Sequence, residues 1–155
     1  DQPRSRGLGD VYKRQELPGV AKPLASYVPA VRVGDQVWTS GQLPLVEGFL
    51  SLTGKVGADL TTDQAQEQAR IAALNALAAV DEEVGLDNVA RVVKVVGFVA
   101  SAPDYEDQPV VINGASDFIG EVFGDAGTHA RSAVGVAALP KNAPVEIELI
   151  VEIAA

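Results

Sequence analysis

Residues 61–85 read TTDQAQEQARIAALNALAAVDEEVG and residues 86–100 read LDNVARVVKVVGFVA. Together they decide the fold. Thr61 precedes Gln64 by three residues, the spacing of a capping box, in which each side chain satisfies a free backbone amide of the other residue. Asp63 and Glu67 lie near the positive end of the helix dipole. Ile71, Leu74, Leu77 and Val84, with alanines between them, form an apolar stripe at helical spacing, and Gly85 ends it. Val89–Ala100 is then apolar and rich in β-branched residues, which predicts a buried strand.

The rest of the chain can be placed outward from this helix–strand pair. Upstream, Ala30–Val33 and Val37–Ser40 flank the turn signal Gly34-Asp35-Gln36 and predict a hairpin. Gly41 and Pro44 punctuate its end, and residues 45–60, with Gly48, Thr53, Gly54 and Gly57, read as a loop. Downstream, Pro103–Pro109 is a polar break. Val110–Phe123 suits a second helix ending at Gly124. Ser132–Ala138 and Val145–Ile153 read as strands joined by Leu139–Pro144. The order is β-β-α-β-α-β-β. Two helices can cover only one face of a mixed sheet, so the class is α+β. The other face, a mix of apolar and small residues, then needs a partner, which points to a homo-oligomer.

Composition narrows the chemistry. The 155 residues suit one domain. The absence of cysteine excludes a disulfide scaffold, a thiolate metal site and a cysteine nucleophile. One histidine, His129, excludes a multi-histidine metal site and weakens a Ser-His-Asp reading. The net charge of −9 argues against sequence-independent nucleic-acid binding. No apolar run approaches the roughly 20 residues of a membrane helix. Residues 1–15, DQPRSRGLGDVYKRQ, lack periodicity and carry four basic against two acidic residues, opposite in sign to the remainder of the chain. Their GLGDVYKRQ string resembles translated adapter sequence. We expect a non-native or disordered tail there and a single domain over 16–155, with charge −11 from 8 basic and 19 acidic residues.

Few residues carry chemistry. Strand alternation puts Arg131, Ala133, Gly135 and Ala137 on one face, so small residues leave space beside a guanidinium that can hold a carboxylate through two parallel hydrogen bonds. A structural salt bridge at a strand end is the bland alternative. Glu146, Glu148 and Glu152 alternate with apolar residues, as on a solvated strand face. If the 139–144 loop closes symmetrically, Ala137 pairs with Glu146, and Glu146 and Glu148 join Arg131 on one face. A carboxylate and an arginine around a cavity could then anchor an acidic substrate and activate water. Tyr27 reads equally as core packing or a ligand contact, Asn113, inside a helix, as facing a partner or capping a local bond, His129 as a loop or interface residue, and Trp38 as core.

Taken in order, Tyr27-Val28-Pro29-Ala30, Val37-Trp38-Thr39-Ser40-Gly41-Gln42-Leu43-Pro44, Thr53-Gly54, Ala130-Arg131-Ser132-Ala133-Val134, Leu139-Pro140 and Val145-Glu146-Ile147-Glu148 resemble the RidA (YjgF) family of reactive-intermediate imine deaminases, historically called L-PSP endoribonucleases. The likeness runs from about residue 20 to 153. The 55–80 and 94–140 regions resemble a less characterised branch of it. The resemblance implies a chorismate-mutase-like α+β fold and a homotrimer with clefts between subunits. It implies that Arg131 binds a substrate carboxylate, that Glu146 positions or activates water, and that Tyr27, Ser40, Gly41 and Asn113 are pocket positions. The implied reaction is cofactor-free hydrolysis of 2-aminoacrylate and related enamine or imine acids to 2-keto acids and ammonia. One departure concerns the residue two positions after the arginine. It is often cysteine in the family and is Ala133 here, so thiol chemistry is excluded at that pocket position.

Three functions compete on these grounds. A cytoplasmic imine deaminase uses both Arg131 and Glu146. A non-enzymatic trimer that binds a small carboxylate metabolite needs only Arg131. An endoribonuclease is disfavoured by the acidic charge and the lack of a histidine pair.

Overall fold

The computed structural model describes residues 17–21 and 26–155. The tail expected over 1–15, and part of the Pro23–Pro29 segment, lie outside the described residues. A five-stranded mixed sheet has the order β1-β2-β7-β5-β6, with β1 Ala30–Val33, β2 Gln36–Thr39, β5 Val89–Ala100, β6 Ala130–Val136 and β7 Val145–Ile153. β3 Leu45–Val46 and β4 Phe49–Leu50 form a separate small hairpin. Helices α1, Thr62–Val84, and α2, Gln108–Phe123, pack on each other and on the sheet.

The capping box forms as its spacing predicts. Thr61 Oγ1 accepts the Gln64 amide at 3.1 Å, and Gln64 Oε1 accepts the Thr61 amide at 2.9 Å. Small buried residues on α1, including Ala65, Ala69, Ala72, Ala73 and Ala76, let this helix lie close to the sheet. α2 crosses α1 at Gly114, where even a methyl group would come within 2.1 Å of the Gln66 carbonyl oxygen. Gln66 Nε2 donates to the Val110 carbonyl at 2.7 Å beside that crossing. Against the helices the sheet presents Val95, Val99, Val145, Ile147, Leu149 and Val151, all fully buried. Burying each such side chain contributes roughly 1.5–3 kcal/mol.

Three expectations are corrected. Residues 45–60 are not wholly loop: Glu47 and Gly48 both adopt positive φ, the requirement of the two-residue turn that joins β3 to β4. Trp38 is not core but 50% exposed. The third correction concerns the last two strands. β6 and β7 do not pair with each other, because β5 lies between them, parallel to β6 and antiparallel to β7. The connection between them passes the end of β5, whose Ala100 amide donates to the Pro144 carbonyl at 2.9 Å. Inserting the apolar β5 at the centre satisfies its backbone groups on both edges.

The register then separates the two faces. Arg131 stands across from Val95 and Ala133 from Gly97, on the helix-covered side. Glu146 stands across from Phe98 and Glu148 from Val96, on the open side. The expected sharing of one face by Arg131, Glu146 and Glu148 is therefore wrong within a single chain. The open side also carries Val31, Trp38 and Val134, 48%, 50% and 44% exposed, so none of the described residues covers it.

Candidate active site

The residues singled out from sequence form two clusters. The first gathers at the end of β2. Between the Trp38–Ile150 pair and the Gln42–Ile147 pair the register slips by one residue, and Thr39 Oγ1 accepts the Leu149 amide at 2.9 Å. This bulge turns Gly41 toward β7. An added Cβ at Gly41 would lie 2.0 Å from Glu146 Oε2, so the carboxylate occupies the space that any other residue's side chain would take. Ser40 Oγ donates to the Val28 carbonyl at 2.5 Å, and the Ser40 amide donates to the Pro29 carbonyl at 2.8 Å. These bonds hold the segment containing the exposed Tyr27 at the same corner. Burial raises the Glu146 carboxyl above the ordinary carboxylate range, and the nearby Glu148 charge raises it further. Glu148 is also raised by burial, with Lys94 pulling in the opposite direction.

The second cluster lies where the edge strand β6 meets α2. Arg131 Nη1 donates to Asn113 Oδ1 at 2.8 Å and to Ser116 Oγ at 3.2 Å, and Nη2 donates to the Pro109 carbonyl at 3.3 Å. Asparagine is a modest helix former, and here its side chain is used to hold the guanidinium. Of the five N–H donors of the guanidinium, the Nε–H and one on Nη2 have no partner among the described residues. Ala133, two residues on and facing the same way, packs against the core.

Sequence reasoning missed Ser116. Its signal was present, since a residue three after Asn113 shares that residue's helix face. His129, read as a loop or interface residue, does lie in the loop before β6, and its Nε2 stands 2.8 Å from Ser116 Oγ, a contact its sequence surroundings did not signal. Among the described residues, no group of three or more His, Asp or Glu side chains is arranged to hold a metal ion, and no helix is long and apolar enough to cross a membrane.

Residues 10–153 match the family model described as "YjgF/chorismate_mutase-like, putative endoribonuclease". The chain belongs to the YjgF family. The chain is also similar to individual proteins. It is 46% identical to "Protein TCP17" of Trypanosoma cruzi over 140 residues, 89% of this chain and 88% of that one. It is 36% identical to the "2-iminobutanoate/2-iminopropanoate deaminase" of Dermatophagoides farinae over 136 residues, 88% of this chain and 92% of that one. The crystal structure of Atu1372 from Agrobacterium tumefaciens, described as of unknown function, superposes with a TM-score of 0.89 at 43% identity, covering 99% of this chain and 98% of that one. The YjgF fold, with a mixed sheet and two helices, is the architecture expected from the ordered motifs.

Proposed function

We propose that this chain hydrolyses small enamine or imine carboxylic acids of the 2-aminoacrylate type to 2-keto acids and ammonia. The observation that carries the reading is Arg131. Three of its N–H donors are held by α2 and two are left over, the number a carboxylate accepts side by side. The imine acid enters with its carboxylate on these two donors. Water adds to the electrophilic C2 as Glu146 accepts a proton from it. The imine enters in its protonated form, so this addition gives a neutral carbinolamine. Glu146 returns the proton to its nitrogen, and the C2–N bond breaks to release ammonia. The hydroxyl proton passes back to Glu146 and on to the departing ammonia as the C2=O bond forms. A carboxyl raised toward neutrality by burial suits these transfers. The deaminase name carried by the D. farinae relative supports the same chemistry.

Because Arg131 and Glu146 of one chain face opposite sides of the sheet, the mechanism requires Arg131 of one subunit beside Glu146 of another. The uncovered apolar face around Trp38 supports a homotrimer with clefts between subunits. Tyr27, Ser40 and Gly41 would then enter the cleft with Glu146, and Asn113 and Ala133 with Arg131.

The test generates 2-iminopropanoate in place with an amino-acid oxidase and follows keto-acid and ammonia release. The wild type is expected to accelerate hydrolysis well beyond an Arg131→Ala control. Equal rates for the two would end the deaminase reading. Carboxylate binding that depends on Arg131 without hydrolysis would favour a binding module instead.

A further inference from the structure

We infer that Ser116 and His129 are positioning residues that lie behind Arg131 and hold its guanidinium in place for a carboxylate ligand. This inference rests on the reading of Arg131 as the carboxylate anchor. The hydrogen-bond roles follow from the partners at each end. His129 Nδ1 lies 2.5 Å from the Gly127 carbonyl oxygen, which can only accept, so Nδ1 carries the hydrogen. In the neutral ring Nε2 is then an acceptor. Ser116 Oγ, 2.8 Å away, must donate to it. The serine lone pairs are left to receive Arg131 Nη1–H, which can only donate, at 3.2 Å. For the neutral ring no other assignment satisfies all three contacts.

The far end of this relay is fixed by packing. Gly127 is buried, and an added Cβ there would lie 2.8 Å from the Ile119 carbonyl oxygen. The residue whose carbonyl sets the His129 tautomer thus packs closely against α2, the helix that also carries Ser116 and Asn113. Arginine otherwise loses considerable rotamer freedom on binding a ligand. Here that freedom is restricted beforehand by Asn113 Oδ1, Ser116 Oγ and the Pro109 carbonyl. Neither Ser116 nor His129 needs to touch the substrate for this to work.

A uniform-binding contact is expected to change KM rather than kcat. Ser116→Ala should raise KM for 2-iminopropanoate, and the calorimetric Kd for 2-oxobutanoate, by roughly tenfold, the scale of a lost hydrogen bond to a charged group. His129→Ala, which removes a neutral hydrogen bond one step further back, should raise both by roughly threefold or more. Their kcat should stay within about twofold of wild type, and Ser116→Thr, which keeps the hydroxyl, should restore most of the loss. In an Arg131→Ala background, adding Ser116→Ala should change neither KM nor Kd, because the group being positioned is gone. Wild-type KM and Kd in the folded Ser116→Ala and His129→Ala proteins would overturn the inference. So would an undiminished effect of Ser116→Ala without Arg131. If the wild type binds 2-oxobutanoate but hydrolyses no imine, the deaminase reading fails alone and Kd decides the relay. If it binds no carboxylate, both fail.

Discussion

Gly41→Ala separates what Glu146 does from what holds the fold. The added Cβ would sit 2.0 Å from Glu146 Oε2, 2.7 Å from Cδ and 3.0 Å from Cγ, with no backbone atom among its nearest neighbours. Ordinary contact begins near 3.4 Å, so the carboxylate oxygen must retreat by about 1.4 Å. The end of a glutamate side chain can move that far by leaving its preferred rotamer, at about 0.5–1.5 kcal/mol. Stability should therefore fall by no more than about 1.5 kcal/mol, or about 3–6 °C in melting temperature. The effect on catalysis should be larger, because a 1 Å misplacement of a reacting group costs on the order of 10²-fold. In the coupled imine assay, kcat/KM of Gly41→Ala should drop about 100-fold, close to the loss in Glu146→Gln. The double variant should be little worse than either single variant, since both remove one carboxylate from one place. If Gly41→Ala melts normally and keeps kcat/KM within about threefold of wild type, Glu146 does not act from the position it holds in this structure.

Three further outcomes are expected. Gly114→Ala should destabilise strongly, by about 3 kcal/mol or about 9 °C, because its Cβ would meet the Gln66 backbone rather than a flexible side chain; a melt within 2 °C of wild type would show that the helices can part more cheaply. Glu146→Gln should melt higher than wild type near pH 7. The native fold raises this carboxyl, so the stability it contributes is full below its ordinary value and is lost as pH rises through the raised one. The difference should vanish near pH 4, and a difference that instead grows on acidification would contradict the direction of the shift. Trp38→Glu, on the sheet face that the described residues leave uncovered, beside Val31 and Ile150, should sediment as a monomer in analytical ultracentrifugation where the wild type sediments as the proposed trimer; equal sedimentation coefficients would count against this face as the proposed interface.

The sequence alone determined the local elements and the family. The Thr61 capping box, the alanine-spaced helix, the apolar Val89–Ala100 run and the Gly34-Asp35-Gln36 turn signal each specify structure through neighbours a few residues away. The capping box and the Val89–Ala100 strand formed where they were read, while Gln36 instead opens β2. Of the stripe Ile71, Leu74, Leu77 and Val84, only Leu77 is fully buried, the alanines supplying most of the packed face. Ordered short motifs did the same for the resemblance. The pairing of the last two strands was legible only in part. A helix between β5 and β6 makes a parallel pair natural, yet the symmetric reading of the 139–144 loop overlooked the strand that enters between β6 and β7. That insertion is a long-range packing choice, governed by burying β5 on both edges. It moved Glu146 and Arg131 to opposite faces and left Trp38 exposed. The partners of Arg131 were also decided by tertiary structure. Asn113, Ser116 and Pro109 of α2 meet the guanidinium of Arg131 from β6, while Gly114 and Gly127 let neighbouring backbones pack closely against that helix. Residue type and spacing give a side chain its chemistry and its strand or helix face, but which other groups meet it depends on contacts between segments far apart in the chain.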